Sequence, residues 1–220
     1  MNGAESLVKT LVKSGVDVCF TNPGTSEMHF VAALDHVEEM RCVLGLFEGV
    51  VTGMADGYGR MADKPSSTLL HLGPGLGNGL ANLHNAKKAH TPIVNIVGDH
   101  ATYHVEYDAP LTADIEGIAK PVSSWVKTSK SSKDIARDGA EAVMAARSGP
   151  GQIATLILPA NTAWDKANSA ANPLDVPPQS KISNGTITSI AKALYEDGET
   201  LIHMTGRAHR EDTLNLLGKI

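Results

Sequence analysis

Short apolar runs alternate with amphipathic stretches along the N-terminal part of the chain, and this alternation leaves few folds open. Val16 to Phe20, Arg41 to Leu46, Ser67 to Leu72 and Ile93 to Val97 read as buried strands. Between and before them lie helical patterns. Ala4 to Lys13 places Leu7, Val8, Leu11 and Val12 on one face and stops near Gly15. Glu27 to Val37, with Ser26 as a candidate cap, Glu48 to Met61 and Asn78 to Lys88 continue the series. Strands joined through helices by short connections pair in parallel, and a parallel sheet is covered on both faces. The expected fold class is therefore α/β, a parallel sheet with helices on both faces.

Farther on, Val122 to Thr128 reads as a strand, Lys133 to Ala146 as a helix and Thr155 to Leu158 as a last strand of the same domain. Asn168 to Ser183 carries Pro177-Pro178 and no periodicity, the mark of a linker. A helix over Thr186 to Tyr195, a strand over Leu201 to Met204 and a helix over Glu211 to Leu217 then open a new unit. The expected organisation is a domain over residues 1–166, a linker over 167–184 and a truncated second domain over 185–220, too short to close its own core.

Lys and Arg number 19 against 24 Asp and Glu, a net charge of −5 with no basic run. That excludes the electrostatic footprint of a nucleic-acid or acidic-membrane binder. No apolar stretch approaches the roughly 20 residues that cross a bilayer, and MNGAESLVKT lacks the pattern of a signal peptide. Cys19 and Cys42 each sit in an apolar run, so both are expected to be buried thiols in a reducing, cytoplasmic setting.

Glycines at 73, 75, 77 and 79 follow a strand and precede a helix. A dinucleotide fingerprint would need glycine where Asn78 stands, and the Gly-Lys-Ser/Thr of a P-loop is absent. What remains is a loop, either a plain tight turn or one whose backbone approaches a ligand closely. Glu48 directly follows an apolar strand and opens a helix. That places an acid at the carboxyl edge of a parallel sheet, where ligand sites of α/β folds collect. His71 ends a strand beside the glycines. His100 and His104 have the spacing of zinc ligands on a helix, but Gly98 and the prolines beyond predict a loop, so no metal ligands are assigned.

Three segments in order carry a resemblance: Asn22-Pro23-Gly24-Thr25-Ser26-Glu27, the stretch from Phe47 to Arg60, and Leu70 to Asn78. Together they resemble the N-terminal, pyrimidine-binding domain of thiamine-diphosphate enzymes of the benzoylformate decarboxylase and acetolactate synthase family. The resemblance covers residues 1–165. The remainder, through His203 to Arg207, is similar to the opening of that family's central Rossmann-like domain.

The resemblance implies that Glu48 hydrogen-bonds N1′ of the cofactor's aminopyrimidine, favouring the imino tautomer that generates the C2 ylid. It places Asn22, Pro23, Gly24, Gly73, Gly75 and Asn78 beside the cofactor with Glu48. Thr25, His71 and His100 face the substrate, with Glu48 and His71 catalytic. Thr25 stands where the decarboxylase branch has a serine, and Gly98-Asp99-His100 stands where synthases carry Gly-Gln. The implied reaction is non-oxidative decarboxylation of a 2-oxo acid. An acetolactate-synthase-like carboligase joining two 2-oxo acids is the alternative, and a catalytically silent or regulatory module is a third. The family holds the diphosphate and Mg²⁺ through a C-terminal domain with a Gly-Asp-Gly…Asn signature that nothing here matches. The chain alone is thus expected to be silent and to be part of a longer enzyme. FAD in the central domain is left open. The family's active site lies between chains, which implies self-association as a dimer or tetramer, with Phe47, Leu72, Pro74 and Leu76 on the associating face.

Overall fold

The order of the strands decides where a site can form. The computed structural model describes residues 1–220, and its strands are β1 (Val18–Asn22), β2 (Arg41–Leu44), β3 (Ser66–Leu70), β4 (Ile93–Asp99), β5 (Trp125–Thr128) and β6 (Ile153–Pro159). They form one 6-stranded sheet in the order β2-β1-β3-β4-β6-β5, with every neighbouring pair parallel. After β1 the chain moves outward to β2, and after β3 it moves the other way to β4. The reversal opens a crevice beyond the carboxyl ends of β1 and β3, the place where open α/β sheets take ligands.

Helices cover both faces, as the fold class requires. On one face α1 (Gly3–Lys13), α2 (Met28–His36) and α6 (Ile135–Arg147) bury Leu7, Leu11, Phe30 and Ile135 against Cys19, Leu69, Ile96 and Leu156. On the other, α3 (Glu48–Ala62), α4 (Leu72–Lys88) and α5 (Ile115–Ala119) bury Val51, Leu76, Leu83 and Ile115 against Phe20, Leu70, Val97 and Ile157. Adjacent residues such as Leu69 and Leu70 go to opposite cores because side chains alternate along a strand. Asn2 caps α1 in a reciprocal box with Glu5.

Across the middle strands a row of buried polar residues is paired side chain to side chain. The Thr68 hydroxyl donates to Asn95 Oδ1 at 2.8 Å, Asn95 Nδ2 donates to Thr155 Oγ1 at 3.1 Å, and Ser123 and Thr155 share a hydroxyl bond of 2.7 Å. This ladder ties β3, β4 and β6 together beneath the site and leaves none of its members unsatisfied.

Several expectations are corrected. The glycines at 73, 75 and 77 belong to the first turns of α4, which begins at Leu72 and not at Asn78. Pro74 is compatible with this because a first-turn residue has no intrahelical N–H bond to lose. Leu72 itself takes φ 47°, and this left-handed residue turns the chain sharply from β3 into the helix. Ser26 does not cap α2, whose first residue is Met28. Cys19 is buried, which pushes its thiol up to about 12, but Cys42 is exposed because β2 is an edge strand.

After β6 and a short α7 (Ala160–Trp164), residues 165–183 contain no helix and only one isolated bridge, Asn2 with Lys166. The chain divides into compact units at Met1–Pro177 and Pro178–Ile220. The second contains α8 (Asn184–Tyr195), capped by Ser183, and α9 (Glu211–Leu217). The strand expected over Leu201 to Met204 is irregular, since no other strand in that unit offers it an edge. No helix in the chain is long and apolar enough to cross a membrane.

Candidate active site

Three strand ends bring the candidate residues to the crevice: β1 leads into Pro23 to Glu27, β2 leads through Gly45 into Glu48, and β3 leads into His71. Asn22 Nδ2 donates to the Gly45 carbonyl at 2.8 Å, fastening the segment that carries Glu48 to the end of β1. The approach of α3 to α4 fixes the other side. Asn82 Nδ2 donates to the Gly49 carbonyl at 2.6 Å, and the Thr52 hydroxyl lies 3.1 Å from the Gly79 carbonyl.

Glu48 is the first residue of α3 and is 8% exposed. A carboxylate there is favoured by the unpaired N–H groups and positive end of the helix. Its Oε2 accepts from Asn78 Nδ2 at 3.0 Å. Its Oε1 looks across Gly75, where a Cβ would stand 3.1 Å from it, and takes no hydrogen bond from the chain. One oxygen is thus positioned and the other is available to a donor entering the crevice. The same imagined Cβ at Gly75 would stand 3.3 Å from His71 Cβ, so Gly75 is the shared floor of the Glu48 and His71 positions.

His71 is the residue before α4, held outside the helix by the left-handed turn at Leu72. Its Nδ1 lies 2.8 Å from Glu27 Oε2, and the same oxygen accepts the Gly24 N–H at 2.7 Å. Glu27 is 1% exposed, and burial, opposed by the Gly24 and His71 hydrogen bonds, holds its carboxyl above the usual glutamate range. Its Oε1 is buried without a partner, packed on the Cα of Gly98 so closely that any Cβ there would collide with it. Gly24 has the same role against the His71 ring. Glu27 was not among the residues singled out by the sequence, although its position three residues after Gly24 carried a signal: an acid at that spacing folds back to a turn's first N–H.

The remaining candidates separate. Thr25, exposed, lines a neighbouring cavity of about 280 Å³ with Ser26, His100, Tyr103, His104 and Trp164. His100 Nε2 is buried without a hydrogen-bond partner, while its ring meets that of His104 at 5.7 Å between centroids. Burial also holds Asp99, just before it, above the usual carboxylate range. Pro23 is half-buried between Asn22 and Gly24. Gly73 faces away from Glu48, its missing side chain replaced by Ala113. No group of three or more His, Cys, Asp or Glu residues is placed to hold a metal ion. Leu72 and Leu76 are fully buried in the core; the exposed apolar residues near the crevice are Leu44, Leu46, Phe47 and Val50.

Residues 1–119 match the family described as thiamine pyrophosphate enzyme, N-terminal TPP binding domain. Over 221 aligned residues the chain is 53% identical to the "Putative acetolactate synthase large subunit IlvX" of Mycobacterium tuberculosis, covering all of this chain and 42% of that protein. It is 33% identical over 150 residues to the benzoylformate decarboxylase of Pseudomonas aeruginosa, 68% of this chain and 28% of the other. Among solved structures, the thiamine diphosphate-dependent 4-hydroxybenzoylformate decarboxylase of Rhodococcus jostii RHA1 superposes with a TM-score of 0.79 at 24% identity, over 88% of this chain and 37% of that one. The chain therefore spans less than half the length of each of these proteins.

Proposed function

Because the chain belongs to the thiamine pyrophosphate enzyme family through its N-terminal TPP binding domain, we propose that it supplies the pyrimidine-binding half of a thiamine-diphosphate-dependent enzyme that decarboxylates 2-oxo acids. The observation that carries the proposal is the Glu48 carboxyl, with Oε2 held by Asn78 and Oε1 open over Gly75 at the crevice. A glutamate so placed fits a protonated or proton-sharing ring nitrogen, and the glycine floor leaves room for a flat ring beside it. Thiamine diphosphate, when bound, supplies a thiazolium that accepts the electron pair left by a departing carboxylate.

The chain's own residues have separate tasks in this proposal. Glu48 holds a proton at Oε1 against the aminopyrimidine and sets its tautomer. Gly75 and the Asn22 to Gly24 segment border the ring. His71 offers Nε2 to the substrate, and Thr25 and His100 line the space beyond it. Mg²⁺ and the diphosphate fall to the part of the relatives' length that this chain does not span. Residues 185–220 are the start of the domain that follows. Self-association is supported by the exposed Leu44, Leu46, Phe47 and Val50 along the edge strand and the start of α3, which a second copy would cover.

The 53% identity to a protein named for acetolactate synthesis favours a second reading, a carboligase joining two 2-oxo acids. Product analysis separates the two. The whole protein, supplied with thiamine diphosphate, Mg²⁺ and a series of 2-oxo acids, is expected to release aldehyde. A 2-hydroxy-2-methyl-3-oxo acid as the main product favours the carboligase, and turnover of no 2-oxo acid by cofactor-loaded protein overturns both.

A further inference from the structure

We propose that Glu27 is a positioning residue that locks His71 in the Nδ1–H tautomer and so reserves Nε2 for the crevice. The proposal rests on the reading of His71 as a residue of the active site, and it adds a group which that reading did not contain.

The geometry fixes the direction of the bond. Glu27 Oε2 already accepts the Gly24 N–H at 2.7 Å, and that donor cannot reverse. His71 Nδ1, 2.8 Å from the same oxygen, must then supply the second hydrogen. An ionised carboxylate can only accept, so with Glu27 ionised Oε2 is the acceptor and Nδ1 the donor. Neutral imidazole carries one N–H, so Nε2 is left with its lone pair.

The surroundings also prevent the ring from choosing otherwise. Backbone at Gly24 lies against the imidazole, and backbone at Gly98 lies against the carboxyl; neither place has room for a Cβ. The pair is clamped between the ends of β1 and β4. The Glu27 side chain is 0% exposed, whereas the His71 side chain keeps 21%. The acid is out of reach of any substrate and acts only through the histidine. A turned ring would place a carbon against Oε2 and leave that buried oxygen one donor short. The other ionisable groups bordering the pair are Glu48 from α3, Asp99 at the end of β4 and His100 just after it. None of them has a hydrogen bond to the His71 ring.

A purely structural role, in which Glu27 only pins the turn at Gly24, makes different predictions. The test is nitrogen NMR on this 220-residue chain labelled with ¹⁵N-histidine, needing neither cofactor nor substrate. At a pH where His71 is neutral, the proton is expected on Nδ1 in the parent chain and in Glu27→Gln, whose amide oxygen can accept the same two bonds. In Glu27→Ala the Nε2–H form should appear. A parent chain with the proton on Nε2, or a Glu27→Ala chain that keeps Nδ1–H, overturns the proposal. Should Glu27→Ala fail to fold, the parent and Glu27→Gln spectra still decide it. In the whole protein, Glu27→Gln is expected to keep kcat within about tenfold, whereas Glu27→Ala loses on the order of a hundredfold, the scale of a misplaced proton-transfer group. Equal losses in the two variants would mean that the acceptor geometry is not what matters. The tautomer can fail while aldehyde is still produced, and the reverse, so the two proposals fail separately.

Discussion

Glu48 and Glu27 lie at the same end of the same sheet, each close to the start of a helical turn that follows a strand. Their surroundings differ at every contact. Glu48 meets a side-chain donor on one oxygen and open crevice on the other, whereas Glu27 is enclosed by backbone from two strand ends and shares one oxygen between two donors. The difference lies in what the neighbouring glycines do. Gly75 clears space in front of a carboxylate, and Gly98 clears space behind one. In the proposed reading, an acid that meets a ligand and an acid that holds another residue still are built from the same side chain by moving the empty volume.

The largest effect that could break this contrast is on chemistry. Glu48→Gln in the whole protein is expected to lower turnover at least about a hundredfold at saturating cofactor, because the amide cannot exchange a proton. Unchanged turnover would place Glu48 with Glu27 among the supporting residues. Next comes Gly98→Ala, which forces a methyl group into the Glu27 carboxyl. Overpacking of this kind costs about 1–3 kcal/mol of stability in a urea titration. In a Glu27→Ala background the added cost should shrink, since every atom nearest the new Cβ belongs to Glu27. Equal costs in both backgrounds would show that the Glu27 enclosure is not as drawn.

Asn78→Ala sharpens the Glu48 side. It removes an exposed donor worth about 1 kcal/mol, so cofactor affinity should fall by roughly fivefold with little change in folding stability. The smallest effect is on the pH dependence of stability. Burial raises the Glu27 carboxyl above its ordinary 4.5, so between that value and the raised one the folded chain binds a proton that the unfolded chain has released. Stability contributed by this group therefore falls as pH rises through the window and returns as pH falls towards 4.5. Glu27→Gln should flatten that slope; an unchanged slope assigns it to other groups.

Much of the scaffold was legible because its signals are local. Alternating apolar runs announce parallel strands, and Glu48 could be placed at a strand-to-helix junction from its neighbours alone. Where the reading went astray, a distant partner decided the outcome. The glycines at 73 to 77 look like a loop by composition but wind into a helix because Leu72 makes the turn by itself. Leu201 to Met204 has the composition of a strand and no edge to join. Cys42 sits in an apolar run that happens to be outermost. Glu27 escaped notice because its significance comes from His71 and Gly98, which lie in other segments of the chain.

The edge position of β2 has a dynamic consequence. This strand pairs with β1 alone and is exposed or half-exposed along its whole length, yet Glu48 hangs from its far end. Protection against hydrogen exchange should be lowest there and highest in β3, β4 and β6, where the hydroxyl ladder crosses the sheet. Partial opening of β2 would unseat Glu48 while the rest of the domain stays folded. Mild denaturant should therefore erase the Glu48 end of the crevice before the main unfolding transition. A second copy or a bound ligand that covers this edge would set the lifetime of the site more than that of the fold.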